Sequence, residues 1–135
     1  VLRKEDVLAA FGEKAFMLLR VNDQTRGMLG WQVENLVART TDILIDSELP
    51  AAEYLPILVR EMERASTQLQ CEVSLIYVPP SLTRMDELWG NLGYKETAPA
   101  SLPVLAWQEA AEDSMQENSR LYYKLLRRDR VLKPI

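Results

Sequence analysis

The chain has no histidine, one cysteine, two phenylalanines and five glycines among its 135 residues. Without histidine, the usual general base of a serine or cysteine nucleophile is missing, and so is the commonest transition-metal ligand. Hydrolase triads and zinc centres are disfavoured on that ground, and no metal site is expected. The single cysteine, Cys71, has no internal disulfide partner and opens an apolar stretch, so it reads as a small buried hydrophobe. No apolar run approaches the roughly 20 residues of a membrane-spanning helix. Val1 to Glu13 lacks the basic-then-apolar layout of a secretory signal. The expectation is a cytoplasmic protein without a membrane. Twenty acidic residues outnumber sixteen basic ones for a formal charge of −4, which excludes a broadly basic nucleic-acid binder.

What is present is an ordinary globular composition, 47% hydrophobic and 27% charged, which argues against disorder. The length suits one hydrophobic core, so residues 1–135 are expected to form a single domain. The charge is uneven along it. Arg120, Lys124, Arg127, Arg128, Arg130 and Lys133 crowd the last sixteen positions against Asp129 alone, so the rest of the chain is distinctly acidic.

Leu2, Val7, Leu8 and Phe11 recur at roughly helical spacing before Gly12, predicting a short helix within residues 1–14. Ala15 to Val21 and Gly27 to Glu34 read as strands joined through the turn-forming Asn22-Asp23-Gln24-Thr25. A third strand is predicted from about Leu36 to Ile45, with an apolar Ile43-Leu44-Ile45 end suited to burial on both faces. Asp46-Ser47-Glu48-Leu49-Pro50 makes a helix start with capping and acidic residues. Leu55, Leu58, Met62, Ala65 and Leu69 then mark one helical face. Pro56 is tolerable only near the first turn, which argues for a regular helix beginning later than Pro50. Val73 to Val78 is a strand halted by Pro79-Pro80. Leu82 to Leu92 is a second helix closed by Gly93. Beyond a loop over Thr97 to Pro103, Val104 to Trp107 reads as a short strand or a helix lead-in, and a helix is expected to run from Glu109 to Leu126. A strand, helix and strand in one sheet imply a right-handed parallel crossover, while the hairpin implies antiparallel pairing. The fold class is therefore α/β or α+β, with a mixed sheet.

Asp42-Ile43-Leu44-Ile45-Asp46 running into Ser47-Glu48, the hairpin carrying Gly30-Trp31, and Leu88-Trp89-Gly90-Asn91-Leu92-Gly93-Tyr94 together resemble the GNAT acetyltransferase superfamily. The resemblance covers roughly residues 15–96. It implies a mostly antiparallel central sheet flanked by helices, with a C-terminal helix and basic tail added over 104–135. It also implies acetyl-CoA as cofactor, its pantetheine arm against Ile43, Leu44 and Ile45 and with Trp89 nearby. Family members bind the pyrophosphate on a glycine-rich loop, Arg/Gln-x-x-Gly-x-Gly/Ala, whose free amides meet the anion. Here that register holds Pro50-Ala51-Ala52-Glu53-Tyr54-Leu55, without glycine and with a carboxylate. Trp89 stands where many members place a tyrosine acid, and an indole N–H is no substitute for a phenol as proton donor. A general base, if one operates, would be Glu34 or Asp42 on the strands beside the cleft; Tyr77 and Tyr94 are the remaining proton donors. The family's first strand and following helices need more residues than precede Ala15, so either a longer parent chain supplies them or they are lacking.

Three functions stand open on these residues. The first is a GNAT-like protein with lost or weakened N-acetyl transfer and a binding, regulatory or assembly role. The second is a divergent acetyl-CoA-dependent N-acetyltransferase acting on an amine, for which the acidic body suits a cationic acceptor. The third gives the basic C-terminal helix, with Arg120, Lys124 and Arg128 on one face, an acidic or nucleic-acid partner, although a solvated terminal helix is the favoured reading of that segment. An acyl-CoA or a protein is the expected partner, and the aromatic residues Trp89, Trp107, Tyr122 and Tyr123 leave a homodimer open.

Overall fold

Alternation of apolar and polar side chains along Ala15–Val21 makes the first strand, β1, with Ala15, Met17 and Leu19 buried and Phe16 and Arg20 turned out. The computed structural model describes residues 14–82 and 85–127, so the helix expected within residues 1–14 lies mostly outside them. Asn22 and Asp23 both take positive φ, 52° and 64°, the twist that a two-residue hairpin loop requires. The chain returns as β2, Gln24–Glu34. A second tight turn follows at Asn35 and Leu36, again with positive φ at both positions. The third strand, β3, therefore begins at Val37 rather than Leu36 and runs to Ile45.

The long helix α1 spans Ala51–Gln68. Its start is earlier than Pro56 suggested, because the helix passes through that residue. The proline leaves the carbonyl of Ala52 without its donor, and Ala52 is exposed, so water can fill the role. Leu55, Leu58, Val59, Met62, Ala65 and Ser66 form its buried stripe. Strand β4, Val73–Val78, is buried at every position because helices cover both of its faces. A 3-10 turn at Pro80–Leu82 and the short helix α2, Asp86–Asn91, follow. Gly93, at φ +94°, turns the chain out of that helix, a conformation that favours glycine. Lys95–Thr97 is the short strand β5.

The C-terminal region departs from expectation. Helix α3 occupies Leu105–Asp113 and stops there, and Arg120–Leu125 is a strand, β6, not the continuation of a helix to Leu126. In that strand Leu121 and Tyr122 are both buried. Two opposite faces of the segment enter the core, which suits the two-residue period of a strand between two layers. The helical face of Arg120, Lys124 and Arg128 is thereby overturned. Lys124 instead bridges to Glu63 at 3.1 Å and Arg120 lies 3.7 Å from Glu96. Arg128 and the rest of the tail lie outside the described residues.

The six strands form one sheet in the order β1-β2-β3-β4-β6-β5, with β3 and β4 parallel and every other neighbouring pair antiparallel. The mixed, mostly antiparallel sheet is thus the one expected. One face packs on α1 and α2 through residues such as Met17, Trp31, Ile76, Trp89 and Tyr122. The other packs Val37, Leu75, Tyr77 and Leu121 beneath Trp107 and Ala111 of α3. Among the described residues, no helix is long and apolar enough to cross a membrane.

Candidate functional site

The parallel pairing of β3 with β4 runs from Val37↔Val73 to Thr40↔Ile76 and ends there. Beyond it β3 continues to Ile45 and β4 to Val78, and the two strands part. The cause is visible on the other side of β3. There Trp31 faces Thr40 and Gly30 faces Asp42, so Thr41 is an extra residue, a bulge that bends the strand. The Asp46 amide donates to the Arg26 carbonyl at 2.8 Å. Backbone groups alternate along a strand, so those of Leu44 and Asp42 also face β2. Those of Ile43 and Ile45 open into the gap. The resemblance assigned pantetheine contacts to Ile43, Leu44 and Ile45; the register leaves the first and third with free edges and gives Leu44 an exposed side chain.

A cleft of about 240 Å³ lies at this divergence, walled by Met28, Thr41, Asp42, Leu44, Tyr77 and Gln116 among others. Asp42, one of the two candidate bases, lies in it, ion-paired with Lys14. Glu34, the other, does not: it stands at the far end of the β2–β3 hairpin, 3.6 Å from Arg39, beside a second cavity. The two carboxylates therefore belong to different sites. Tyr77 reaches the cleft wall, but its hydroxyl donates to the Ala111 carbonyl at 2.8 Å, and burial pushes its phenol up to about 12. Tyr94 is in the core, between Ser74 and the Glu63 carboxylate; burial, then the Glu63 charge, raises its phenol well above the ordinary range. Neither tyrosine is tuned as an acid near neutral pH, where a proton donor works best. Trp89 has no exposed surface and its N–H goes to the Leu82 carbonyl; its ring packs on Tyr94 and Tyr122. Cys71 is buried, and burial pushes its thiol up to about 11, which makes it inert as a nucleophile.

The start of α1 shows how an acyl-CoA would be received at its pyrophosphate. Pro50 precedes the helix without a side-chain cap, and Glu53 stands in the first turn. The loop before it is closed on itself. One Asp46 carboxylate oxygen accepts the Glu48 amide at 2.9 Å and the Asp46 carbonyl accepts the Leu49 amide. Arg26 holds the other carboxylate oxygen at 2.6 Å. The Glu48 amide and then Arg26 keep the Asp46 carboxyl below its ordinary value of 3.8, so it is charged at neutral pH. The Glu53 amide is likewise taken, by the Pro50 carbonyl, and an anion arriving here meets the Glu53 carboxylate beside the helix start, at a cost of about 1–4 kcal/mol for each like charge in contact. The Thr40 hydroxyl, fully buried without a hydrogen-bond partner where the strands part, and the free edge of β3 suit a polar arm between the strands. The residues present thus fit the arm of acetyl-CoA and do not fit its pyrophosphate.

Arg39 and Thr40 were absent from the sequence-based site. Both are polar residues buried inside a strand, and the only signal for them was that they continue the apolar run from Val37 and Ala38.

No family model matches the chain, and no curated protein matches it in sequence. Solved structures do match it in fold. An acetyltransferase of the GNAT family from Staphylococcus aureus superposes over 91% of this chain and 76% of its own, with a TM-score of 0.67 and 14% identity. An acetyltransferase from Streptococcus agalactiae covers 83% of this chain and 66% of its own at a TM-score of 0.64 and 15% identity. The PaiA N-acetyltransferase of Thermoplasma acidophilum, solved with coenzyme A, covers 84% and 61%, with a TM-score of 0.62 and 11% identity. Splayed parallel strands, the crossover helix between them and the mixed six-stranded sheet give this chain the fold of the GNAT acetyltransferases.

Proposed function

We propose that this is a GNAT-fold protein in which acetyl-CoA-dependent N-acetyl transfer is lost or weakened, and that it serves as a binding or regulatory module. The observation that carries the reading is the loop from Asp46 to Glu53. Asp46 takes up its Glu48 and Leu49 amides, its helix start lacks glycine, and Glu53 in the first turn carries the charge of the ligand it would have to hold. The cleft supports the same reading from the chemical side. Asp42 is ion-paired with Lys14 and the Tyr77 hydroxyl is committed to a backbone carbonyl, so both groups are engaged within the protein.

Titration of acetyl-CoA and free coenzyme A into the protein, followed by melting temperature and binding heat, tests this directly. The expected result is no saturable response below millimolar ligand. Micromolar affinity would overturn the proposal and favour the second reading, a divergent N-acetyltransferase holding its cofactor through β3 alone. That alternative has its own support in the open edge of Ile43 and Ile45 and in the retained cleft. It predicts measurable acetylation of a cationic amine, abolished by Asp42→Asn.

A further inference from the structure

The most unusual polar residue of the sheet is Arg39. It projects from the paired half of β3 beneath α3 and is 7% exposed. A guanidinium carries five N–H donors and no acceptor, and buried donors are normally all bonded. Arg39 falls short of that. One Nη1 bond, to the Ser114 hydroxyl, is firm at 2.5 Å, and a second to the Ala110 carbonyl is at 3.5 Å. Glu34 at 3.6 Å from Nη2 and Asp113 at 3.7 Å from Nη1 supply charge without hydrogen bonds. Nε is buried and has no partner.

Arg39 forms one wall of a cavity of about 300 Å³ between the β2–β3 hairpin and α3. Its apolar lining includes Val37, Ala106 and Ala110, small enough to leave the space open, and Glu34, Glu109 and Asp113 stand around it. The Glu34 and Asp113 side chains are 55% and 82% exposed, so both can turn towards a guest. With three carboxylates against one guanidinium, a bare phosphate or dicarboxylate is repelled. A bare amine satisfies the carboxylates and leaves the Arg39 donors as they were. A molecule that brings a carboxylate to Arg39, whose planar fork binds carboxylates in pairs of hydrogen bonds, and an ammonium to the acidic rim satisfies both.

We propose that this cavity is a binding site for a free α-amino acid. The size agrees, since about 300 Å³ lies at the small end of ligand sites. Binding draws Arg39 towards the ligand carboxylate and seats the ammonium among Glu34, Glu109 and Asp113. The site uses neither the cleft at Asp42 nor the start of α1, so it stands or falls apart from the coenzyme A titration.

The twenty amino acids, titrated singly into the full chain by calorimetry, test the proposal, followed by the decarboxylated amine and the deaminated acid of the tightest one. The expected result is saturable one-to-one binding by at least one amino acid, with both analogues weaker by about tenfold or more, as loss of a charge-assisted pair implies. Arg39→Gln is expected to weaken the amino acid by a similar factor. Glu109→Gln, on an exposed helix position that the fold does not need, is expected to weaken the amino acid and to tighten the deaminated acid. No binding by any amino acid at millimolar concentration overturns the proposal. So does an amine analogue that binds as tightly as its parent, or affinity unchanged in Glu109→Gln and in a folded Arg39→Gln.

Discussion

Thr40 has a fully buried hydroxyl with no hydrogen-bond partner, at the last rung before β3 and β4 separate. An unmet buried hydroxyl costs on the order of 1–3 kcal/mol, and valine has nearly the same shape. Thr40→Val is expected to raise stability by about 1 kcal/mol, read as a higher urea midpoint at unchanged slope; a fall would show that the hydroxyl is satisfied in solution. Gly30 behaves in the opposite way. A Cβ there would sit 2.7 Å from an Asp42 carboxylate oxygen and 2.8 Å from the Phe16 ring. Gly30→Ala must push both aside and is expected to cost about 1–3 kcal/mol in the same assay. The cleft role proposed for Asp42 is thus tied to a glycine on the neighbouring strand, a dependence that no motif displays. Asp46 gives a pH signature. Its folded carboxyl is held low by the Glu48 amide and Arg26, so the stabilisation is complete above the ordinary value of 3.8 and is lost as pH falls through the lower folded value. Asp46→Asn is expected to flatten the acid limb of a stability–pH curve, and an unchanged limb would remove the loop-closing role assigned to this carboxylate.

Among the elements, strands whose side chains alternate or run apolar were legible, and β1 and β4 have the bounds expected from sequence. The α1 stripe was equally legible, since Leu55, Leu58, Met62 and Ala65 are buried as their spacing implies. The turn at Leu36 was not, because leucine has no turn chemistry and takes positive φ only under the constraint of the strands it joins. The segment from Glu109 to Leu126 failed for a different reason. Its residues have adequate helix propensity, and what decides between helix and strand is the open edge of β4, which β6 fills over Val73↔Leu125 to Val78↔Arg120. Tertiary pairing overrides local preference there. Pro56 offers a test at this scale. It sits past the first turn of α1, where proline removes one hydrogen bond. Pro56→Ala is therefore expected to stabilise the protein by about 1 kcal/mol or more, measured by thermal and urea unfolding; a neutral result would mean that the helix start is already unwound in solution.

At the scale of the whole molecule, three tyrosines bind the layers to one another. Tyr77 ties β4 to α3, Tyr94 ties α1 to β4, and Tyr122 ties β6 to α2 through Asp86. All three phenols are pushed up, those of Tyr77 and Tyr122 to about 12 and that of Tyr94 well above the ordinary range, with burial as the largest cause in each. A phenol that holds its proton longer in the folded state stabilises it fully below the ordinary value of 10 and ceases to do so as pH rises through the folded value. Stability is therefore expected to fall between about pH 10 and 12, and Tyr77→Phe is expected to make that fall shallower in a urea series across the window. If wild type and variant lose stability in parallel, the alkaline limb belongs to other groups.

Composition and periodicity by themselves determined that this chain forms a mixed sheet with a crossover helix, because those signals record which side chains must leave water, and that is a local property of spacing. The absence of glycine at the start of α1 was likewise readable, since Ala51, Glu53 and Leu55 each bring a Cβ whatever the backbone does. Only the tertiary structure decided that Asp46 closes the loop on itself, that Glu34 and Asp42 serve different cavities, and that Arg39 lies buried among loosely placed partners. Each of these depends on distances between residues remote in the chain. Those distances are set by the bulge at Thr41, the turn at Asn35-Leu36 and the insertion of β6 beside β4.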